Sequence, residues 1–216
     1  MPKLVIFDLD NTLINGDSDR NWGIYLSEKK IFSDDFLEKS EKFYNNYYEG
    51  SLDIDGFLNF CLEPLVNNSM DLLLELREDF IETKIKPILL PKAIEEINKE
   101  METNKVIIAT ATNNFVTRPI ATLFGIDDLI ATDFEIIDNE FTGKVDGIPC
   151  FRDGKLTKVE QWSKNNDYDL NGSKFYSDSF NDIPLLQKVS EAIVVDGDEK
   201  LLQEAKNYGW KCVSFR

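Results

Sequence analysis

Residues 3–8 read Lys-Leu-Val-Ile-Phe-Asp, an unbroken β-prone apolar run that stops at a carboxylate. A strand without polar alternation is buried on both faces, and such strands belong to parallel sheets covered by helices on each side. The pattern recurs at residues 105–110, 174–177 and 192–195, and a last short strand is expected at 211–215. Helical spacing fills the intervals. Ala93, Ile94, Ile97 and Met101 share one face, and Leu201, Leu202 and Ala205 share another that ends at Gly209. Strands alternating with helices predict an α/β fold with a Rossmann-like parallel sheet.

One long segment breaks the alternation. Within residues 15–86, Ile54, Phe57, Leu58, Cys61, Leu62 and Leu65 follow helical spacing, as do Leu72, Leu73, Leu76 and Phe80. Phe36, Leu37, Phe43, Tyr44, Tyr47 and Tyr48 give a third face, and Pro87 and Pro91 mark the return. The expectation is a helical-bundle cap at 15–86 inserted into a core made of residues 1–14 and 87–216, with the aromatic run at 43–48 either on a core face of the bundle or lining a substrate pocket. A second insert, 134–151, reads as a β-hairpin turning near Asp138-Asn-Glu140.

Composition then removes whole classes of function. The chain has 216 residues, 24 basic against 40 acidic, for a formal net charge of −16. That field repels nucleic acid and anionic membrane surfaces, so neither is expected as a partner. An anionic substrate needs a bound cation and a local Lys or Arg. The chain contains no histidine, which excludes Ser-His-Asp hydrolases and His-bearing zinc sites and leaves acid–base work to carboxylates. Cys61, Cys150 and Cys212 lack metal-ligand spacing and are expected to be buried small hydrophobes in a reducing cytoplasm. The N-terminal apolar run is too short for a signal peptide, and no stretch reaches the roughly 18 apolar residues of a membrane span.

The chemistry concentrates at strand ends. Asp8-Leu-Asp-Asn-Thr-Leu13 caps the first strand, where ligands of a parallel sheet bind. Ser177-Asp-Ser-Phe-Asn-Asp182 follows a later strand in the same way, although Asp182 also suits the N-cap of a helix starting at Ile183-Pro184. Asp8, Asp10, Asp178 and Asp182 would crowd one crevice. Such crowding is tolerable around a cation, and an all-oxygen set suits magnesium rather than zinc.

In order along the chain, Asp8-Leu-Asp-Asn-Thr12, Thr110, a lysine and Ser177-Asp-Ser-Phe-Asn-Asp182 resemble the four motifs of haloacid dehalogenase-like phosphatases. The inserted bundle, Asp17-Ser-Asp19, Phe141-Thr-Gly143 and Gly154-Lys155 are similar to the phosphoserine phosphatase-like branch. The resemblance implies a magnesium-dependent phosphomonoesterase acting on a small phosphorylated metabolite. By position it implies Asp8 as nucleophile and Asp10 as general acid and base, its backbone carbonyl also on the metal. Thr110, Lys155 and Asn181 would hold the phosphoryl group, Asp178 the metal, and Asp182 would support it. Lys158 competes with Lys155 for the phosphate. Asp17 is either a substrate contact or the cap of the first inserted helix.

One departure concerns the substrate. The branch holds the carboxylate of phosphoserine with an Arg in its cap, and Asp53-Ile-Asp-Gly-Phe-Leu-Asn-Phe-Cys61 contains none. Arg20 and Arg77 could replace it only if turned inward. A phosphomutase or other phosphotransferase would share every motif. Dehalogenase chemistry has no use for the metal site or for Asp10.

Overall fold

The computed structural model describes residues 2–32 and 35–216; Ser33 and Asp34, inside the expected insert, lie outside the described residues. Strand β1 (Leu4–Phe7) leads into four helices: α1 (Ser18–Glu28), α2 (Phe36–Glu49), α3 (Ile54–Val66) and α4 (Met70–Phe80). A π turn, Ile81–Ile85, and a 3-10 turn, Lys86–Ile88, return the chain to α5 (Pro91–Met101) and β2 (Lys105–Asn113). There follow α6 (Asn114–Leu123), β3 (Leu129–Ile137), β4 (Glu140–Asp146), α7 (Asp153–Asn165), β5 (Lys174–Ser177), α8 (Ile183–Leu186), β6 (Glu191–Val195), α9 (Glu199–Tyr208) and β7 (Lys211–Val213).

The seven strands form one sheet in the order β4-β3-β2-β1-β5-β6-β7, parallel throughout except for β3 with β4. Strand β1 is central, and all four of its residues are buried. Val5 and Phe7 face a cluster with Ala93 and Ile97 of α5, Val116 and Ile120 of α6, and Trp22, Tyr25 and Leu26 of α1. Leu4 and Ile6 face Val159 of α7, Leu185 and Leu186 of α8, and Leu201 and Ala205 of α9. Each such burial contributes roughly 1.5–3 kcal/mol, which is why the strand carries no polar alternation. A third cluster joins Leu58, Leu62 and Leu65 of α3 and Leu73 of α4 to Phe134 and Phe141, so the β3–β4 hairpin props the inserted helices.

Three expectations need correction. Strand β3 begins at Leu129, before the expected hairpin, and its first residues pair in parallel with β2, Ile108 opposite Leu129. Thr132 and Asp133 interrupt its apolar run and hide it from a pattern search. The hairpin turn itself falls at Asp138 and Asn139, both at positive φ (52° and 65°), the geometry of a two-residue type I′ turn. The aromatic face of α2 is narrower than its spacing indicates: Phe36, Ser40 and Tyr44 are buried at i, i+4 and i+8, while Leu37 and Tyr48 are exposed. Finally, β7 stops at Val213, two residues before the end expected for the last strand.

Candidate active site

The connections from β1 run outward through β2 and β3, then cross back to β5 and run the other way through β6 and β7. The sheet therefore changes winding direction beside β1, and the carboxyl ends of β1, β2 and β5 open a crevice there. It has a volume of about 720 Å³ and is lined by Asp8, Asp10, Asp17, Thr110, Lys155, Asp178, Asn181 and Asp182 together.

Its floor is an ion triad. Lys155 Nζ stands 2.9 Å from Asp8 Oδ1 and 2.7 Å from Asp182 Oδ1, and the three residues are 3–6% exposed. Burial disfavours the ammonium, but the charges of Asp182 and Asp8 outweigh that and raise its pKa well above the usual lysine range. Asp182 also accepts from Ser177 Oγ at 2.7 Å; it stands at the expected N-cap position of α8, but its side chain makes no cap bond there. Lys155 sits in the first turn of α7 just after Gly154, where a Cβ would overlap the Pro149 carbonyl. Lys158, one turn farther on, instead bonds the Ala131 carbonyl (2.6 Å) and Asp133 (2.8 Å), away from the crevice.

Asp10 is held at both oxygens. The Ser18 amide donates to Oδ1 at 2.6 Å and Thr112 Oγ1 donates to Oδ2 at 2.7 Å. Burial, aided by the charge of Asp17, pushes its pKa up to about 7 against those hydrogen bonds. A carboxyl that titrates there is matched to proton transfer near neutral pH. Thr110 and Thr112 lie two residues apart on β2, so strand alternation turns both to the same side, and both line the crevice.

Asp178 accepts from Thr12 Oγ1 at 3.2 Å, and burial followed by the charges of Asp8 and Asp182 drives its pKa well upward. Burial likewise raises that of Asp8, against the attraction of Lys155. Two buried carboxylates that penalise one another, with oxygen donors only, fit a hard dication such as Mg²⁺. Among the described residues no group of three acidic or cysteine side chains converges as a metal cage.

The outer wall is acidic and aromatic. Asp17 caps α1, one of its two expected roles, accepting from the Arg20 amide at 2.8 Å, and it also lines the crevice. Asp19 accepts from Asn113 Nδ2 at 3.3 Å and from Cys61 Sγ at 3.2 Å. Burial raises both carboxyls to about 6, the neighbouring acid adding to the effect on each. Phe43, Tyr44 and Tyr47 line the crevice, and Phe43 and Tyr44 also pack their rings on Phe57 of α3, so these two serve the bundle interior and the site together. The cysteines also depart from expectation: only Cys150 is buried, Cys61 is half-buried and bonded to Asp19, and Cys212 is exposed.

Four participants were given no role by the sequence reading: Thr112, Arg152, and Ser18 and Asp19 of the quoted Asp17-Ser-Asp19. Arg152 adopts φ 51° and bonds Asn181 Oδ1 at 2.9 Å and the Gly50 carbonyl at 2.7 Å, tying the end of α2 to the β5 loop. Its position just before Gly154-Lys155 was the one available hint. Arg20 lies exposed over the Tyr44 ring and Arg77 bonds the Phe115 carbonyl; neither lines the crevice.

A family model described as haloacid dehalogenase-like hydrolase matches residues 5–187. The chain is 40% identical over its whole length to a histidinol-phosphatase of Neisseria meningitidis, which it covers completely. It is 27% identical to a phosphoserine phosphatase of Mycobacterium tuberculosis, over 97% of this chain and 70% of that protein. Among solved structures, a Bordetella pertussis protein of unknown function superposes with a TM-score of 0.93 at 34% identity, covering all of both chains. A substrate-bound phosphoserine phosphatase shares the fold with a TM-score of 0.72 at 19% identity, over 99% of this chain and 93% of that one.

Proposed function

This chain belongs to the haloacid dehalogenase-like hydrolase family and is a phosphatase; we propose that it is a magnesium-dependent phosphomonoesterase working through an aspartyl-phosphate on Asp8. The observation that carries this is the pairing of a buried Asp8–Lys155–Asp182 triad with an Asp10 carboxyl fixed by Thr112 and the Ser18 amide.

Asp8 attacks phosphorus in line while Asp10 delivers its proton to the departing alkoxide. Asp10 then takes a proton from the water that cleaves the aspartyl-phosphate. Lys155, the Thr110 hydroxyl and the Asn181 amide neutralise and position the phosphoryl oxygens. Asp8, Asp178 and the Asp10 carbonyl, with Asp182 in support, would hold a Mg²⁺ ion, which when bound would supply charge neutralisation at the transferring group. The inserted helices of 15–86 act as the cap. Arg152 to Gly50, and Tyr47 Oη to Ser179 Oγ at 3.0 Å, are the contacts through which it closes. Free cysteines suit a reducing cytoplasm.

The leaving-group side supports a substrate choice. Asp17 and Asp19 face it, and Lys155 is the sole cation among the lining residues. Phosphoserine would bring a carboxylate against these acids with no arginine to receive it. Histidinol phosphate, named by the Neisseria relative, carries an amine and an imidazole and no carboxylate, and Asp17 is the contact we assign to its amine. The test is phosphate release in Mg²⁺ from histidinol phosphate, phosphoserine, 2-aminoethyl phosphate and p-nitrophenyl phosphate. Histidinol phosphate should exceed phosphoserine in kcat/KM by about a hundredfold, since a like-charge contact costs several kcal/mol. A preference for phosphoserine overturns the substrate, and release from none of the four overturns the reaction.

A further inference from the structure

Beside the crevice lies a second, partly open pocket walled by Trp22, Phe36, Phe57 and Phe60. Asp19, Tyr44 and Phe57 line both spaces, which therefore adjoin at Asp19. Asp19 accepts at 3.3 Å from Asn113 and from the Cys61 thiol, a weak donor. Its two oxygens retain lone pairs for a stronger donor. Trp22 is 4% exposed, and its indole Nε1 is buried with no acceptor among the described residues. A buried indole N–H ordinarily finds a partner, and one left without asks for an explanation. The pocket thus has flat aromatic walls and a carboxylate acceptor, and one of its walls is a tryptophan with an unmatched N–H donor.

We infer that Asp19 and Trp22 form a subsite for a five-membered nitrogen heteroaromatic ring borne by the leaving alcohol. The ring N–H donates to Asp19, its unprotonated nitrogen accepts from Trp22 Nε1, and Phe57 and Phe60 enclose its carbon edge. A neutral imidazole has one donor and one acceptor and satisfies both protein groups; a benzene ring of similar size satisfies neither. This rests on reading the site as a phosphatase of a nitrogenous alcohol phosphate and adds the element that reads the ring, while Asp17 remains with the amine.

The test is calorimetric binding of histidinol and of phenylalaninol to the whole Mg²⁺-loaded protein. The two alcohols share the amine and hydroxyl and differ in the ring. The wild type should bind histidinol at least about tenfold more tightly, the worth of one or two hydrogen bonds. Trp22→Phe and Asp19→Ala should each reduce that ratio about fivefold or more. Asp19→Ala keeps the inference open to refutation if Trp22→Phe does not fold, because Asp19 is half-buried outside the apolar core. A wild type that binds phenylalaninol as well as histidinol overturns the inference, and so does a ratio unchanged in Asp19→Ala. Binding is read without turnover, so failure to hydrolyse histidinol phosphate would remove the substrate assignment and leave this result to stand or fall by itself.

Discussion

The Thr112 hydroxyl donates to the Asp10 carboxylate at 2.7 Å although the two residues lie 102 positions apart in the chain. The bond fixes Oδ2 while the Ser18 amide fixes Oδ1, so the acid is aimed before substrate arrives. Thr112→Val keeps the shape and removes the donor. It should lower kcat on an alkyl phosphate about tenfold, the order of one hydrogen bond. The loss should be smaller on p-nitrophenyl phosphate, whose leaving group needs less protonation. Equal losses on both substrates would mean that Thr112 supports the strand and not the acid.

Lys155 and Asp8 should separate stability from activity. Lys155→Met leaves Asp8 and Asp182 buried without their cation, a change that typically costs about 3–5 kcal/mol. Asp8→Asn is isosteric and leaves Lys155 paired with Asp182 at 2.7 Å, so it should retain more stability in urea unfolding than Lys155→Met. Both variants should lose turnover by on the order of a thousandfold or more. An active Asp8→Asn enzyme rules out covalent transfer to that residue.

Magnesium dependence follows from the Asp8 and Asp178 pair. Activity should vanish in chelator and return with Mg²⁺, and excess Ca²⁺ should inhibit, because its larger, looser coordination sphere misaligns Asp8 with phosphorus. Asp178→Asn should raise the Mg²⁺ concentration for half-maximal activity about tenfold or more, the lower range for a perturbed metal site. Full activity in chelator would remove the metal from the mechanism.

The parts legible in the sequence were those where one physical signal dominated. Strand β1 reads directly because both of its faces are buried, and Asp8, Asp10, Asp178 and Asp182 read from their positions at strand ends. What escaped depends on long-range placement. Thr112 reaches Asp10 from the strand beside β1, a pairing that no local pattern announces. Asp19 looks like an ordinary acidic residue in a first helical turn until Cys61 and Asn113 close on it from other elements. Arg152 needs a backbone φ of 51° to reach both Asn181 and Gly50. The aromatic residues of α2 have helical spacing whether they face a core or a crevice, and spacing alone does not show that Phe43 and Tyr44 do both.

The acid cluster also makes stability depend on pH in a direction opposite to the usual carboxylate case. Asp10 titrates near 7 and Asp17 and Asp19 near 6 in the folded chain, chiefly because burial disfavours their charge, against about 3.9 when unfolded. Between pH 4 and 7 the folded state therefore binds more protons than the unfolded state, and stability falls as pH rises. Their contribution is fully present below about pH 4 and lost as pH passes through 6 to 7. Glu100, whose pKa is lowered from 4.5 because Lys174 and its hydrogen-bond partners outweigh the opposing effect of burial, is ionised throughout pH 5–7 and adds no slope there. In chelator, the melting temperature should drop by several degrees between pH 5 and 7.5, about the response of a domain of this size to a few kcal/mol. The net charge of −16 pushes the same way through self-repulsion, so a variant must separate the two causes. Asp17→Asn with Asp19→Asn lowers the net charge only to −14 but removes two of the raised carboxyls, leaving those of Asp8, Asp10 and Asp178, and should flatten the slope measurably. A slope unchanged in the double variant removes Asp17 and Asp19 from the account.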